Sequence, residues 1–338
     1  MTQFRWHNID DDKQMTLIER ATRSIGNGEY RGLEFFEVDA KTLINKMPGG
    51  PMYGFEYTIN AYRGCSHACE YCFARPTHEY LDLGLDVDFE TKIVVKRNAV
   101  DLVRAETAPY RWSGDLIAMG TNTDPYQHAE AKYKLTRGIL EVLVERLNPF
   151  SILTKSTLVL RDLDLLVAAS QVTDVAVDFS VGTLDPRVWR ATERAAPHPQ
   201  RRIEAVAKLN EAGVASGVLM GPVLPGLSDG EDQIDAVVAA ALAAGATSIA
   251  AVPLHLRSGV RDHFMRFLRD DHPELVELYE RRFKTRSFQH RAEQERISDA
   301  VRKAIDRHGG YSNKRRRPSP ARRTPAPVTA QLTIEGLR

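Results

Sequence analysis

Three cysteines occur in 338 residues, and all three fall within one stretch of eight. They are Cys65, Cys69 and Cys72, spaced Cys-x3-Cys-x2-Cys in NAYRGCSHACEYCFARP (60–76). A disulfide framework needs pairs and usually spreads them along the chain. An odd trio packed this tightly argues for metal ligation in a reducing compartment. Three thiolates can hold three irons of a cubane cluster, which needs soft sulfur ligands. With no fourth cysteine in the chain, one iron keeps an open position for a substrate or cofactor. Two plainer readings stand beside this one. A structural zinc site would take His67 or His78 as fourth ligand, although such sites more often pair cysteine knuckles from separate parts of a sequence. Three buried, inert cysteines would simply be core.

The motif resembles the signature of the radical S-adenosylmethionine (SAM) superfamily, in which an aromatic residue, here Tyr71, precedes the third cysteine. More narrowly, the chain resembles the subgroup related to spore photoproduct lyase and often labelled DNA repair photolyase. The matching stretches are YRGCSHACEYCFARPTHEYL (62–81), GTNTDPYQ (120–127), LTKSTLVLRDLDLL (153–166), SVGTLDP (180–186), ERAAPHPQRRIEA (193–205) and GPVLPGLSD (221–229). Together they cover roughly residues 50–260. The resemblance implies a [4Fe–4S] cluster on Cys65, Cys69 and Cys72, whose open iron chelates the amino and carboxylate groups of S-adenosyl-L-methionine. One electron, from a reductant of flavodoxin or ferredoxin type, then cleaves the S–C5′ bond. The product is a 5′-deoxyadenosyl radical that abstracts a hydrogen from substrate.

The same resemblance implies a cofactor pocket. Tyr71 and Phe73 flank the third cysteine and are expected near the adenine; the plain alternative is core aromatics. GTNTDP occupies the place where the family binds the cofactor's amino group. There Thr121, Asn122, Thr123 and Asp124 offer hydroxyl, amide and carboxylate acceptors. This stretch departs from the commoner Gly-Gly-Glu form, and Asp-Pro by itself is an ordinary turn former. Lys155 and Ser180 end the third and fourth strands on the expected rim. Arg194, next to Glu193, is placed to pair the cofactor carboxylate bidentately or to form a surface ion pair. Spore photoproduct lyase uses a further cysteine as hydrogen donor, and this chain has none outside the cluster loop. Nucleic acid is the leading substrate class. A small-molecule substrate, or an Fe–S electron-transfer or sensor role without SAM cleavage, are the alternatives.

The elements that must position these residues alternate strand and helix. Strands are expected at 55–59, 115–120, 150–153, 175–181, 214–220 and 248–252, as short, mostly apolar runs suited to parallel strands covered on both faces. Helical spacing appears over 128–147 (Leu135, Ile139, Leu140, Leu143, Leu147), 201–212 and 231–244, the last two followed by capping glycines Gly213 and Gly245. Six such units with right-handed crossovers make an α/β fold, a partial (β/α)6 barrel. Beyond residue 260 the pattern is helical only, at 262–269, 273–284 and 290–308. The expected organisation is an N-terminal extension (1–50), the barrel (51–260), a helical C-terminal extension (261–312) and a disordered basic tail (313–338).

The bulk numbers agree with a globular chain that is 43% hydrophobic and 27% charged. No run of about 18 apolar residues exists, so no membrane span is expected. The N-terminus has no apolar h-region, and the expected location is the cytoplasm. The net charge of +1 is unevenly spread. Residues 313–338 hold seven Lys/Arg against Glu335 alone, leaving −5 for the rest. The tail's KRRRPSPARR would bind nucleic acid through phosphates, in a salt-dependent way, or serve as a solvated docking or localisation segment. QLTIEGL (331–337) is similar to the short peptide that docks bacterial proteins to the sliding clamp, with Ile-Glu replacing a hydrophobic pair.

Overall fold

The computed structural model describes residues 18–47 and 54–311. The tail at 313–338, its clamp-like peptide and the extreme N-terminus lie outside the described residues. Eleven strands form among those described: β1 (Thr22–Ile25), β2 (Glu34–Val38), β3 (Ile44–Lys46), β4 (Tyr57–Ile59), β5 (Tyr62–Arg63), β6 (Lys92–Lys96), β7 (Ile117–Met119), β8 (Phe150–Thr154), β9 (Val175–Ser180), β10 (Ala215–Val223) and β11 (Ile249–Pro253). They build a seven-stranded sheet in the order β11-β10-β9-β8-β7-β4-β3 and a four-stranded sheet in the order β1-β2-β6-β5.

In the large sheet, β4 and β7 to β11 are mutually parallel and follow one another in sequence order. These are the six apolar runs expected from the sequence. Helical crossovers follow β7 to β10, and after β4 the chain returns through the small sheet and helix Ala99–Glu106, so the loops after the strands gather on one rim. The sheet is open, with β11 at one edge and the antiparallel β3 at the other. Strands such as β9 are buried on both faces, which is why they read as continuous apolar runs rather than alternating ones.

The crossover helices stop where their local chemistry stops them. Helix Pro199–Glu211 starts with Pro199 and a His198 side chain that accepts from the Gln200 amide. It ends in a Schellman arrangement at Gly213 (φ +96°), with the Val214 amide on the Leu209 carbonyl. Helix Glu231–Ala243 ends the same way at Gly245. The helical stretch expected over 128–147 is instead two helices, His128–Tyr133 and Leu135–Glu145, broken at left-handed Lys134. Leu147, placed on that helix's apolar stripe by spacing, lies beyond its end. It adopts φ +51° as the terminating residue and is 42% exposed.

The four-stranded sheet is the part that periodicity did not reveal. No strand is expected from the sequence at 22–38 or at KIVVK (92–96), yet β2 and β6 pair in parallel and β1 and β5 extend them. One face, with Phe35, Tyr62, Ile93 and Val95, joins the main core. Phe36, Val38 and Val94 on the other face pack with Leu81. At the far end, helices Val260–Asp271, Val276–Phe283 and Arg291–Arg307 fall close to the expected spans. The last buries Ile297, Val301 and Ala304 in the main core.

Gly120 ends β7 and opens the GTNTDP loop. It sits at φ +93°, and a Cβ there would lie 1.9 Å from the Leu153 carbonyl oxygen. Gly120→Ala is therefore expected to cost roughly 2–4 kcal/mol of stability, to be read from the urea midpoint at unchanged m-value.

Candidate cluster and cofactor site

The cysteine loop leaves the large sheet before it begins. After β4 the chain crosses to β5 in the small sheet, and Gly64 then turns it toward Cys65. Gly64 has φ +76°, and a Cβ there would meet the Phe89 carbonyl at 2.8 Å and the His78 ring at 2.9 Å. Only glycine fits between these groups. Every part of the loop is tied to a different neighbour. The Cys65 amide donates to the Phe89 carbonyl (2.9 Å), the Glu70 amide to Thr192 (3.0 Å), and the Ala195 amide to the His67 carbonyl (3.2 Å). Cys69 and Glu193 form an antiparallel bridge. Gln127 clasps the start of the loop, donating to the Gly64 carbonyl (2.9 Å) and accepting from the Ser66 amide (3.1 Å).

Beneath the loop lies Arg75, fully buried. Its Nε and Nη2 both donate to the Cys69 carbonyl, its Nη1 donates to the carbonyls of Leu85 and Asp86, and its Nη2 also reaches Glu90. The guanidinium lies over the Phe89 ring at 5.4 Å. All the donor directions of the fork are thereby used.

All three cysteines are free thiols; Cys65 and Cys69 are buried and Cys72 is partly so. Burial pushes the Cys69 thiol well above its usual range and raises Cys72 as well. Metal ligation must therefore displace protons here. Among the described residues, no three His, Cys, Asp or Glu side chains converge closely enough for a single ion. His78 is fully buried, with Nε2 on the Lys92 carbonyl (2.9 Å), and His67 Nδ1 faces Asp124 at 3.3 Å. Of the two histidines considered as zinc ligands, His67 also hydrogen-bonds Cys65, and His78 Nδ1 is buried without a partner among the described residues. Three soft sulfurs on one loop are the donor set of a multi-iron cluster.

Next to the loop is a buried polar cluster. Tyr71 donates its hydroxyl to Glu193, and Arg202 donates to the other oxygen of the same carboxylate. Lys155 Nζ donates to Ser180 Oγ (2.9 Å), lies 3.9 Å from Glu193, and sits 5.6 Å from the Tyr71 ring centre. Ser180 in turn donates to the Gly221 carbonyl (2.8 Å), and Arg202 also holds the Ser180 carbonyl (2.9 Å). Burial works against the Glu193 charge, but Arg202 and Lys155 hold its carboxyl below the usual carboxylate range. Burial, then the Glu193 charge, pushes the Tyr71 phenol well up and keeps it a donor. Lys155 is raised despite burial, because Cys69 and Glu193 outweigh it. Two cations face one carboxylate, so the cluster carries a spare positive charge, and Lys155 is the looser partner.

The four residues of the GTNTDP loop divide into two kinds. Thr123 and Asp124 face inward. Thr123 Oγ1 donates to the Gly64 carbonyl (2.6 Å). Asp124 accepts from Thr154 Oγ1 (2.7 Å), the Lys155 amide (2.7 Å) and the Tyr126 amide (2.9 Å). Burial alone would raise Asp124, but His67 and these donors lower it to about 2. Burial likewise opposes a charge on His67, yet Asp124 and Cys65 raise it to about 10. Thr121 and Asn122 remain half-exposed. Asn60 Nδ2 reaches Thr121 Oγ1 at 3.4 Å, and only the backbone amide of Asn122 is taken, by Asn60 Oδ1.

Phe73 is 50% exposed. Arg194 is turned away from the polar cluster, in ion pairs with Glu70 (3.0 Å) and Glu90 (3.2 Å). The structure thus brings Tyr71, Lys155 and Ser180 together beside the cysteines, and leaves Arg194 on the outer side of the loop. Sequence reasoning missed Arg202 and Gln127. Arg202 lies on a helix beside Ile203 and Val206, and an arginine on the apolar side of an amphipathic helix was the available signal.

The sequence profile of the Radical SAM superfamily matches residues 59–237. An uncharacterised protein of Mycobacterium tuberculosis is 39% identical over 96% of this chain and 95% of its own length. An uncharacterised protein of Methanocaldococcus jannaschii is 33% identical over 59% of this chain and 71% of its own. Among solved structures, a point variant of spore photoproduct lyase superposes with a TM-score of 0.60 at 16% identity, covering 82% of this chain and 81% of that one. A variant solved with a dinucleoside spore photoproduct gives 0.57 at 15% identity, covering 81% and 79%. At these identities the likeness is one of fold.

Arg202→Met leaves Glu193 buried with its strongest partner gone, an expected cost of about 3–5 kcal/mol in urea unfolding. Adding Glu193→Gln is expected to recover part of that loss; an additive double variant would show that the two side chains do not interact. Asp124 has its folded value below the unfolded carboxylate value of about 3.9. Its contribution, roughly 2–3 kcal/mol, is present above about pH 4 and lost as pH falls toward 2. Asp124→Asn should therefore flatten the acid limb of the stability profile over that interval.

Proposed function

The chain belongs to the radical SAM superfamily, and we propose that its cluster is held by Cys65, Cys69 and Cys72 and that it acts on a nucleic-acid substrate. Bound to those thiolates, a [4Fe–4S] cluster with S-adenosyl-L-methionine supplies a 5′-deoxyadenosyl radical for hydrogen abstraction. The observation that carries this reading is the placement of three free thiols against the buried Lys155–Ser180–Glu193–Arg202 cluster.

In this reading each residue has a task set by its contacts. Lys155, with the spare positive charge, binds the cofactor carboxylate, and Ser180 fixes the ammonium's position. Asp124 holds the Lys155 backbone from the other side. Thr121 and Asn122, with acceptor capacity left over, take the cofactor's amino group. Tyr71 and Phe73 border the adenine. Glu193 and Arg202 keep Tyr71 and Lys155 in place, while Arg194 fastens the loop through Glu70 and Glu90. The open sheet is read as a partial (β/α)6 barrel with the pocket at its C-terminal rim. The electron comes from a one-electron reductant of flavodoxin or ferredoxin type. Free thiols of this kind suit the cytoplasm. Nucleic acid is supported by the fold shared with spore photoproduct lyase and by the basic tail.

The test is anaerobic reconstitution with iron and sulfide, then reduction in the presence of S-adenosylmethionine with 5′-deoxyadenosine as readout. Wild type is expected to form it, and the triple change of Cys65, Cys69 and Cys72→Ala to form none. Lys155→Met is expected to keep the cluster's visible absorbance while weakening cofactor binding about tenfold or more, as for loss of a charged hydrogen bond. Zinc bound in place of iron would refute the assignment.

A further inference from the structure

The segment after β11 alternates. Leu254 and Leu256 are buried in the same apolar cluster as Cys69 and Tyr71, while His255 and Arg257 point outward. Residues 287–288 run alongside: the Leu256 amide donates to the Ser287 carbonyl (2.9 Å), and His255 and Phe288 form an antiparallel bridge. On the outer side the His255 and Phe288 rings stack, with centres 3.9 Å apart and planes within 7°. Phe288 is 57% exposed, so its second face is open to solvent.

The segment that carries Phe288 is basic. RRFKTRSFQHR (281–291) contains five Lys/Arg and no acid. Arg281, Arg282 and Arg291 find carboxylates elsewhere. Arg257, Lys284 and Arg286 are exposed and form no ion pair with a carboxylate among the described residues. They are near one another: Arg257 adjoins Leu256, Arg286 adjoins its partner Ser287, and Arg261 Nη1 donates to the Lys284 carbonyl (3.1 Å).

We infer that this surface binds single-stranded nucleic acid, with an unstacked base on the open face of Phe288 and its flanking phosphates on Arg257, Lys284 and Arg286. An exposed aromatic stack costs solvation unless a flat partner covers it, and unpaired guanidinium groups suit phosphate. Their combination is that of a single-strand platform rather than of an apolar protein interface. The surface follows the last parallel strand, at the rim where the cofactor pocket opens, and its inner side is the wall behind Cys69 and Tyr71. This inference deepens the proposed function by locating the substrate on the folded body, apart from the basic tail.

The test is fluorescence anisotropy of the full-length protein with a labelled twelve-nucleotide thymidine oligomer, its RNA counterpart and a duplex, over a range of salt. Wild type is expected to prefer the single strands. Phe288→Ala is expected to weaken binding about tenfold, as for loss of one stacked base, with Phe288→Tyr restoring it. Arg257→Gln with Arg286→Gln should lower the salt slope by about 0.7 per charge removed. Circular dichroism melts and 5′-deoxyadenosine formation without substrate should be unchanged in all these variants, which separates failure of this surface from failure of the radical chemistry. Binding that survives these substitutions but vanishes on deleting 313–338 would overturn the inference. So would equal competition by polyglutamate together with wild-type affinity for Phe288→Ala, since the surface would then be a general polyanion patch.

Discussion

The loop that carries the three free thiols forms no helix or strand between Gly64 and Ala74, and its amides and carbonyls still need partners once buried. This requirement organises the molecule around residues 64–75. The loop shares hydrogen bonds with Phe89, Gln127, Thr192 and Ala195, all from segments that follow it in the chain. Arg75 donates twice to the Cys69 carbonyl from below and ties it to the Leu85 and Asp86 carbonyls. Glu193 serves twice, as backbone in the bridge to Cys69 and as the carboxylate that Tyr71 and Arg202 share. A buried carboxylate between two such donors is tolerable only because every oxygen is engaged. The same constraint explains why the GTNTDP loop turns Thr123 and Asp124 inward: they fasten the cysteine loop and the Lys155 backbone, while Thr121 and Asn122 stay half-exposed.

The parallel core was open to reading because burial on both faces leaves no choice of residue. Runs such as VAVDFS and FSIL are mostly apolar, and they stand out from any helical spacing. The small sheet escaped notice for the opposite reason. β5 is two residues long, and KIVVK has charged ends that resemble a turn boundary. Its pairing with residues 34–38 is a long-range match that local periodicity does not encode. The break at Lys134 is similar, since a left-handed lysine has no compositional mark.

The site was legible to different depths. The cysteines announced themselves by spacing, and Lys155 and Ser180 by their positions at strand ends. Arg194 was expected either to pair the cofactor carboxylate or to form a surface ion pair, and it forms ion pairs with Glu70 and Glu90. The arginine that reaches Glu193 is Arg202, nine positions on from it. Charge pairing across a fold is decided by which helix face meets which loop, and a single sequence carries little of that.

The bridge between Cys69 and Glu193 also bears on how the chain is made. Tyr71 and Glu193 stand 122 positions apart, yet the parallel strands pair in the order in which they are synthesised. A ribosome delivering this chain exposes all three thiols long before the segment that encloses them. The cysteine loop gains its covering partners Glu193 and Arg202 only once the chain has grown through helix Pro199–Glu211.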